Sequence, residues 1–300
     1  MDDTTRKRLA HGLLLIAPAM FSSNMVTAKL AADLVPPVAL AVLRWGLAFL
    51  ILLPFAGPGL WRQRAAVRAE WAELLLLGGL GMGICGALLY YAADTTSATN
   101  IGLIYAASPV MITAFGALLY GEAMSRRQAI GTAVALAGVV TIVLRGDIGV
   151  LLALDISLGD ALLVLIVSAW AAYALRLRYR PSRLAPQTRF AAIVLFGVIS
   201  MLPFLALETA LGDLPALDAG TFALGLFLAL VPGLGAYQAY GWLQTVLGAG
   251  RTSLLLYLSP VYNAAIAYAL LGETLRPFHL AGIGLVLLGI YLGTVPAKSR

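Results

Sequence analysis

The sequence predicts an all-α integral membrane protein: ten transmembrane helices forming two inverted five-helix repeats around a central cavity. Three observations predict it. The 300-residue chain is 61% hydrophobic and 11% charged, against roughly 25% charged in soluble domains, which leaves too little polarity to cover a water-facing surface. The apolar residues fall in runs of about 20, the length a helix needs to cross about 30 Å of hydrocarbon. One motif is also written twice, half a chain apart.

Ser108-Pro109-Val110 precedes Gly121-Glu122, and Ser259-Pro260-Val261 precedes Gly272-Glu273, each glutamate standing 13 residues after its proline. The offset is 151 residues. In that register residues 100–145 and 251–296 share eleven identities, among them Leu103/Leu254, Gly131/Gly282 and Gly138/Gly289. An apolar composition produces chance Leu and Ala coincidences, but not two motifs in step. An internal duplication follows, with repeats at 1–150 and 151–300.

The first run, Leu9 to Ala32, follows Arg6-Lys7-Arg8 and imitates a cleavable signal as far as Ala17-Pro18-Ala19. His11 and Gly12 interrupt its core and the run continues past the small-residue site, so it reads as a retained span. Pro36 to Gly57 is the second run, opened by a proline pair. Trp71 to Ala93 is the third; its Gly79 and Gly83 have the small-xxx-small spacing that lets helices approach. Ala98 to Tyr120, the fourth, carries Pro109, and Ala129 to Leu144, the fifth, follows Ser125 and Gln128, spaced as a capping box. In the second half the runs are Leu158 to Leu177, Phe190 to Leu207, Thr221 to Leu243, Thr252 to Leu271 with Pro260, and Phe278 to Val295 with Gly289 and Gly293. Each mid-helix proline removes a backbone hydrogen bond, so Pro109 and Pro260 are expected at kinks that serve as a hinge or cavity wall, or as a purely structural bend.

Charge orients the bundle. Sixteen of the twenty Lys and Arg residues fall before the first run, in alternate links or in the tail, and the opposite links carry Asp33, Asp94, Asp147, Asp155, Asp213 and Asp218. Short basic loops stay cytoplasmic, which places both termini inside. The net charge of +6 follows from this asymmetry, and no nucleic-acid partner is expected. Lone Cys85 offers neither a disulfide nor a thiolate metal site, and His11 and His279 are far apart; no metal, cofactor or enzymatic activity is expected.

Five helices per repeat is odd, so the second repeat sits upside down relative to the first. Inverted repeats have two nearly equivalent packings that open to opposite faces, with the ligand site between the halves near the midplane. The pattern implies a carrier of a small molecule in a lipid bilayer, expected as a monomer, with a dimer through the last helix as the alternative.

Polar side chains at mid-depth are costly in hydrocarbon and mark function or interhelical contact. The candidate substrate-binding residues are Asn24, Arg44, Tyr105, Ser108, Trp170, Tyr173, Gln238, Ser259, Tyr262 and Asn263. Tyr105/Ser108, Trp170/Tyr173 and Ser259/Tyr262/Asn263 each share a helical face. Arg44 lies about 12 Å along its helix from Pro36, a depth at which it is expected to pair with helix-end carbonyls or to attract a substrate carboxylate. Lys29 is expected to snorkel toward Asp33. The acidic residues all read as lying in loops or near helix ends, so transport is expected to be facilitated diffusion.

Phe21-Ser22-Ser23-Asn24 through Lys29, Leu43-Arg44-Trp45, Gly159-Asp160 with Trp170, and the doubled Ser-Pro-Val to Gly-Glu blocks resemble the drug/metabolite transporter superfamily, and within it the EamA-type proteins. Phe21 and Ser22 stand where that family commonly has tryptophan and glycine. The resemblance implies a ten-helix carrier in a bacterial inner membrane, and among the family's members the chain resembles exporters of amino acids, aromatic ones included. Export of cationic drugs coupled to protons is the alternative within transport, and a membrane scaffold the alternative outside it.

Overall fold

Prolines, glycines and side-chain caps set where the helices of this chain begin, loosen and stop. The computed structural model describes residues 3–31, 35–96, 101, 104–147, 149–152, 157–212, 218–262, 265 and 276–294, and every described element is helical. Among the described residues, seven helices are long and apolar enough to cross a membrane: Pro37–Arg62, Trp71–Ala92, Arg126–Val143, Leu158–Tyr179, Pro186–Ala210, Ala219–Leu247 and Pro277–Thr294. The first expected span lies on the helix Asp3–Ala31, which contains the apolar stretch Gly12–Asn24, and Ile104–Tyr120 lies at the place of the fourth. The ninth expected span is described only as far as Tyr262 and at Ala265. Asn263, Gly272, Glu273, Asp33, Asp155, Asp213, Lys298 and Arg300 lie outside the described residues, as do the side chains of Lys29 and Asp94.

The helix ends follow their sequence chemistry. Ser125 Oγ accepts the Gln128 backbone N–H at 3.1 Å and starts Arg126–Val143. Ser157 and Asp160 form a reciprocal capping box at the start of Leu158–Tyr179, and Thr96 donates to the same Asp160 carboxylate. The helix carrying the first Ser-Pro-Val block stops at Gly121, whose φ of +65° is one that glycine adopts without strain. The carboxylate of Glu122 then turns back between two glycines: a Cβ on Gly116 would sit 2.8 Å from Oε2, and one on Gly248 3.2 Å from Oε1. The Gly-Glu block of the first repeat thus abuts the turn that precedes the Ser-Pro-Val block of the second.

Two spans are not α-helical throughout. Gly79–Ala87 and Ala229–Gly235 are π-helical. Both are rich in glycine and the second contains Pro232, the composition that loosens an i to i−4 ladder. Shifted by 151 residues, the first π segment falls on 230–238 and overlaps the second. The Ser-Pro-Val blocks also interrupt their helices. Ala107 is a turn residue before Ser108–Tyr120, and a 3-10 stretch, Leu254–Leu258, leads into Ser259.

Helices occupying equivalent places in the two halves pack against one another in opposite directions. A Cβ on Gly131 would lie 2.5 Å from the Gly289 carbonyl oxygen, and one on Gly138 2.7 Å from the Gly282 carbonyl oxygen. In the 151-residue register Gly131 corresponds to Gly282 and Gly138 to Gly289, so the two contacts exchange partners, as contacts about a two-fold axis do. Bare backbones are what allow this approach. Pro37–Arg62 and Pro186–Ala210 also run antiparallel. Gly59 meets Thr188 at one end, and at the other the buried Glu208 accepts the backbone N–H groups of Val38 and Ala39 at 2.9 and 2.8 Å. Those two N–H groups at the helix start have no partner within their own helix, so Glu208 caps it and sets a negative charge at its N-terminus.

On the arginine-rich side the links are tied to one another. Arg176 forms a bidentate pair with Glu73, its Nε donating at 3.0 Å. Glu70 accepts from the Ser182 hydroxyl at 2.7 Å and the Arg183 backbone at 2.8 Å, and Gln63 accepts the Ala185 N–H at 2.9 Å.

Candidate functional site

Arg44 is 2% exposed within a membrane-spanning helix. Its Nη2 donates to the carbonyl of Pro232 at 2.9 Å, inside the second π segment, and its Nη1 to Asn24 Oδ1 at 2.9 Å. The Tyr90 hydroxyl donates to the same Asn24 oxygen at 3.3 Å. The guanidinium lies 4.7 Å from the centre of the Trp45 ring, a cation–π contact that is stronger away from water. Among the described residues no carboxylate pairs with Arg44, and its Nε is buried with no hydrogen-bond partner, as is Trp45 Nε1. A buried cation without a counter-charge is expensive, and an anionic ligand relieves that cost.

Around this polar group stands a wall of rings. Trp45 meets Tyr237 edge-on at 4.9 Å; Trp170 lies 5.5 Å from Tyr173, 5.5 Å from Tyr237 and 5.0 Å from Tyr240; and Phe21 reaches Trp170 at 5.6 Å. The centroid separations are those aromatic pairs prefer; Trp45–Tyr237, Trp170–Tyr237 and Phe21–Trp170 meet edge-on, and Trp170–Tyr173 is stacked. Glycine makes room for two of the rings, since a Cβ on Gly81 would lie 2.9 Å from the Tyr173 ring and one on Gly86 3.3 Å from Trp45 Nε1. The Tyr237 hydroxyl donates to the Gly81 carbonyl at 2.6 Å. Each π segment therefore has one carbonyl held by a side chain of this cluster.

Of the residues expected to bind substrate, the structure brings together Asn24, Arg44, Trp170 and Tyr173. Tyr105 packs beside them on a cluster built from Leu89, Ala92, Ile101, Leu163 and Ile166. Ser108 is buried. Ser259 and Tyr262 tie the last described part of their helix to the first helix instead: Ser22 Oγ donates to the Ser259 carbonyl at 3.4 Å, and the Tyr262 hydroxyl to the Leu15 carbonyl. Gln238 is exposed and lines a separate groove. It follows Tyr237 by one residue and so lies about 100° around the helix from the ring wall. The sequence reading passed over Trp45, Tyr90, Tyr237 and Tyr240; Tyr237, Tyr240 and Gln244 at i, i+3 and i+7 form a stripe that would have located the buried face.

Fold and site together define a multi-pass helical membrane protein with an aromatic cluster beside a buried guanidinium that no carboxylate pairs among the described residues. The profile of the EamA-like transporter family matches residues 8–144 and again 157–295. The chain belongs to that family, in the drug/metabolite transporter superfamily. It is similar to an uncharacterized transporter of Archaeoglobus fulgidus, 27% identical over 95% of this chain and 96% of that protein. A probable amino-acid metabolite efflux pump of Salmonella typhimurium is 28% identical, over 96% of this chain and 95% of its own length. A probable terminal-alkyne amino-acid exporter of Streptantibioticus cattleyicolor is 26% identical over 93% and 91%. One crystal structure shares the fold with a TM-score of 0.73 at 18% identity, covering 96% of both chains.

Proposed function

We propose that this chain is a bacterial inner-membrane carrier that exports amino acids or closely related metabolites by alternating access. The observation that carries this reading is Arg44, a buried guanidinium with one free N–H and no carboxylate partner among the described residues, at the edge of an aromatic wall. A substrate carboxylate supplies the missing charge, and Trp170, Tyr173 and Tyr237 supply apolar surface for its side chain. The names of the Salmonella and Streptantibioticus relatives support amino acids as the cargo class.

Two inverted halves around a central cavity, ten spans in all with both termini cytoplasmic, are part of the same reading. The exchanged glycine contacts and the antiparallel equivalent helices support it. The halves rock about the crossing of Arg126–Val143 with Pro277–Thr294, and the helix interruptions at Pro109 and Pro260 act as hinges. Transport runs down the substrate gradient. Purified protein in liposomes, screened for flux of each amino acid against empty vesicles, tests the reading. Flux above background for at least one neutral amino acid is expected; background flux for all of them contradicts it.

A further inference from the structure

Beside the ring wall, a groove of about 200 Å³ opens between the helices Pro37–Arg62, Pro186–Ala210 and Ala219–Leu247. Leu52, Phe55, Phe190 and Leu234 form its apolar wall, and the carboxamides of Gln187 and Gln238 its polar points. Gln187 stands at the arginine-rich mouth, one residue inside the start of its helix. Gln238 is nine residues from the end of its helix at Leu247, about 13 Å into the membrane. Both side chains are exposed, and neither has a hydrogen-bond partner among the described residues.

An exposed carboxamide at that depth is costly against lipid, where nothing replaces water as a hydrogen-bond partner. The groove is therefore wet, or filled by a polar molecule. Its volume is below the roughly 300 Å³ at which drug-sized pockets begin, the scale of a single amino acid. Its wall also packs into the core that holds the rings. Leu52 and Leu234 belong to the same buried cluster as Trp45, Trp170 and Tyr237, and Leu52 lies two turns from Arg44 along one helix. Pro232, whose carbonyl Arg44 holds, is six residues from Gln238.

From this placement we infer a second binding station for the cargo, on the arginine-rich side of Arg44. This rests on the amino-acid reading above. Gln187 and Gln238 hydrogen-bond the ammonium and carboxylate of an arriving amino acid, Phe55 and Phe190 cover its side chain, and the molecule passes inward along Leu52 and Leu234 to Arg44.

Single cysteines replacing Gln187 or Gln238 in a Cys85→Ala background test the inference. Reaction of both cysteines with a membrane-impermeant thiosulfonate applied from the arginine-rich side, slowed by L-phenylalanine, is the expected result. Reaction of Gln238→Cys with a lipid-soluble maleimide alone overturns it, because the groove would then face lipid. Labelling that no amino acid slows, in protein that still carries amino acids, also overturns it, because the groove would be wet but not a station. Since labelling reads water access without needing flux, failure of the amino-acid reading shows separately in the liposome screen. In transport assays Gln187→Leu with Gln238→Leu raises KM about tenfold for cargo offered from that side and leaves kcat within about twofold. Equal KM values for the double variant and the parent contradict the station.

Discussion

The Tyr237 hydroxyl donates to the Gly81 carbonyl at 2.6 Å, so a residue just beyond one π segment seals a carbonyl inside the other. π turns leave carbonyls poorly served by their own helix, and a membrane offers no water to replace them. Tyr237→Phe keeps the ring in the wall but strands the Gly81 oxygen. The variant should lose about 1–2 kcal/mol of stability, read as a lowered thermal midpoint in detergent. An unchanged midpoint would mean that this bond carries no stabilisation.

The paired helices Arg126–Val143 and Pro277–Thr294 meet at glycine backbones, with no space for a Cβ on Gly138 beside the Gly282 carbonyl or Val286. Gly138→Val should therefore destabilise by roughly 1–3 kcal/mol or more through overpacking, and Gly289→Val by a comparable amount, because the two positions are equivalent. Gly284, which has nothing within 4 Å of a built Cβ, should accept alanine with no loss. Thermal unfolding of the three variants side by side is the check.

The fold was largely legible in the sequence because hydropathy and the doubled motif both act on long segments. The irregular stretches within the spans were not legible. Whether Gly79 to Ala87 adopts α or π geometry depends on what Tyr237 and Tyr173 do across the helix interface, and no local pattern encodes that. The site was legible where one side chain decides its own fate, as with Arg44, whose depth along the helix already demanded a partner. It was not legible where the choice lay between neighbours on one helix. Tyr237 faces the wall and Gln238 the groove, and polarity alone favoured the wrong neighbour for the wall. The sequence also left open whether Arg44 would meet helix carbonyls or a carboxylate. The structure places one N–H group on the Pro232 carbonyl and leaves Nε free.

Glu208 read as an outer helix-end residue, and in the fold it is buried while accepting from Val38, Ala39 and the Tyr91 hydroxyl. Glu208→Ala removes the cap of another helix and should cost about 1–3 kcal/mol. Glu208→Gln keeps one acceptor and should cost less. The ordering of chemical-denaturation midpoints, parent above Gln above Ala, checks the assignment; a reversed order of the two variants sinks it.

Asp218 supplies the corresponding cap for Ala219–Leu228 in the open. The Thr221 backbone N–H donating to Oδ1 at 2.7 Å holds its carboxyl below the usual carboxylate range. A depressed folded pKa contributes stability that is present above the unfolded value near about 3.9 and is lost as pH falls through the folded value. Protection of the amides in residues 219–228, corrected for the intrinsic slowing of exchange in acid, should accordingly fall on acidification in the parent. Asp218→Asn, which caps without a charge, should remove that acid dependence.

The central claim is that Arg44 receives the carboxylate of the cargo, and competition for exchange tests it most directly. Liposomes loaded with L-phenylalanine take up radiolabelled L-phenylalanine by exchange, and the competitors are unlabelled L-phenylalanine and phenethylamine, the same molecule without its carboxylate. The account predicts that the amino acid competes and the amine does not. It also predicts that Arg44→Lys, which keeps the charge but loses the planar fork that grips a carboxylate, cuts exchange at least about tenfold with folded yield retained. Phenethylamine competing as well as phenylalanine, with Arg44→Lys exchanging at the parent rate, would contradict the account.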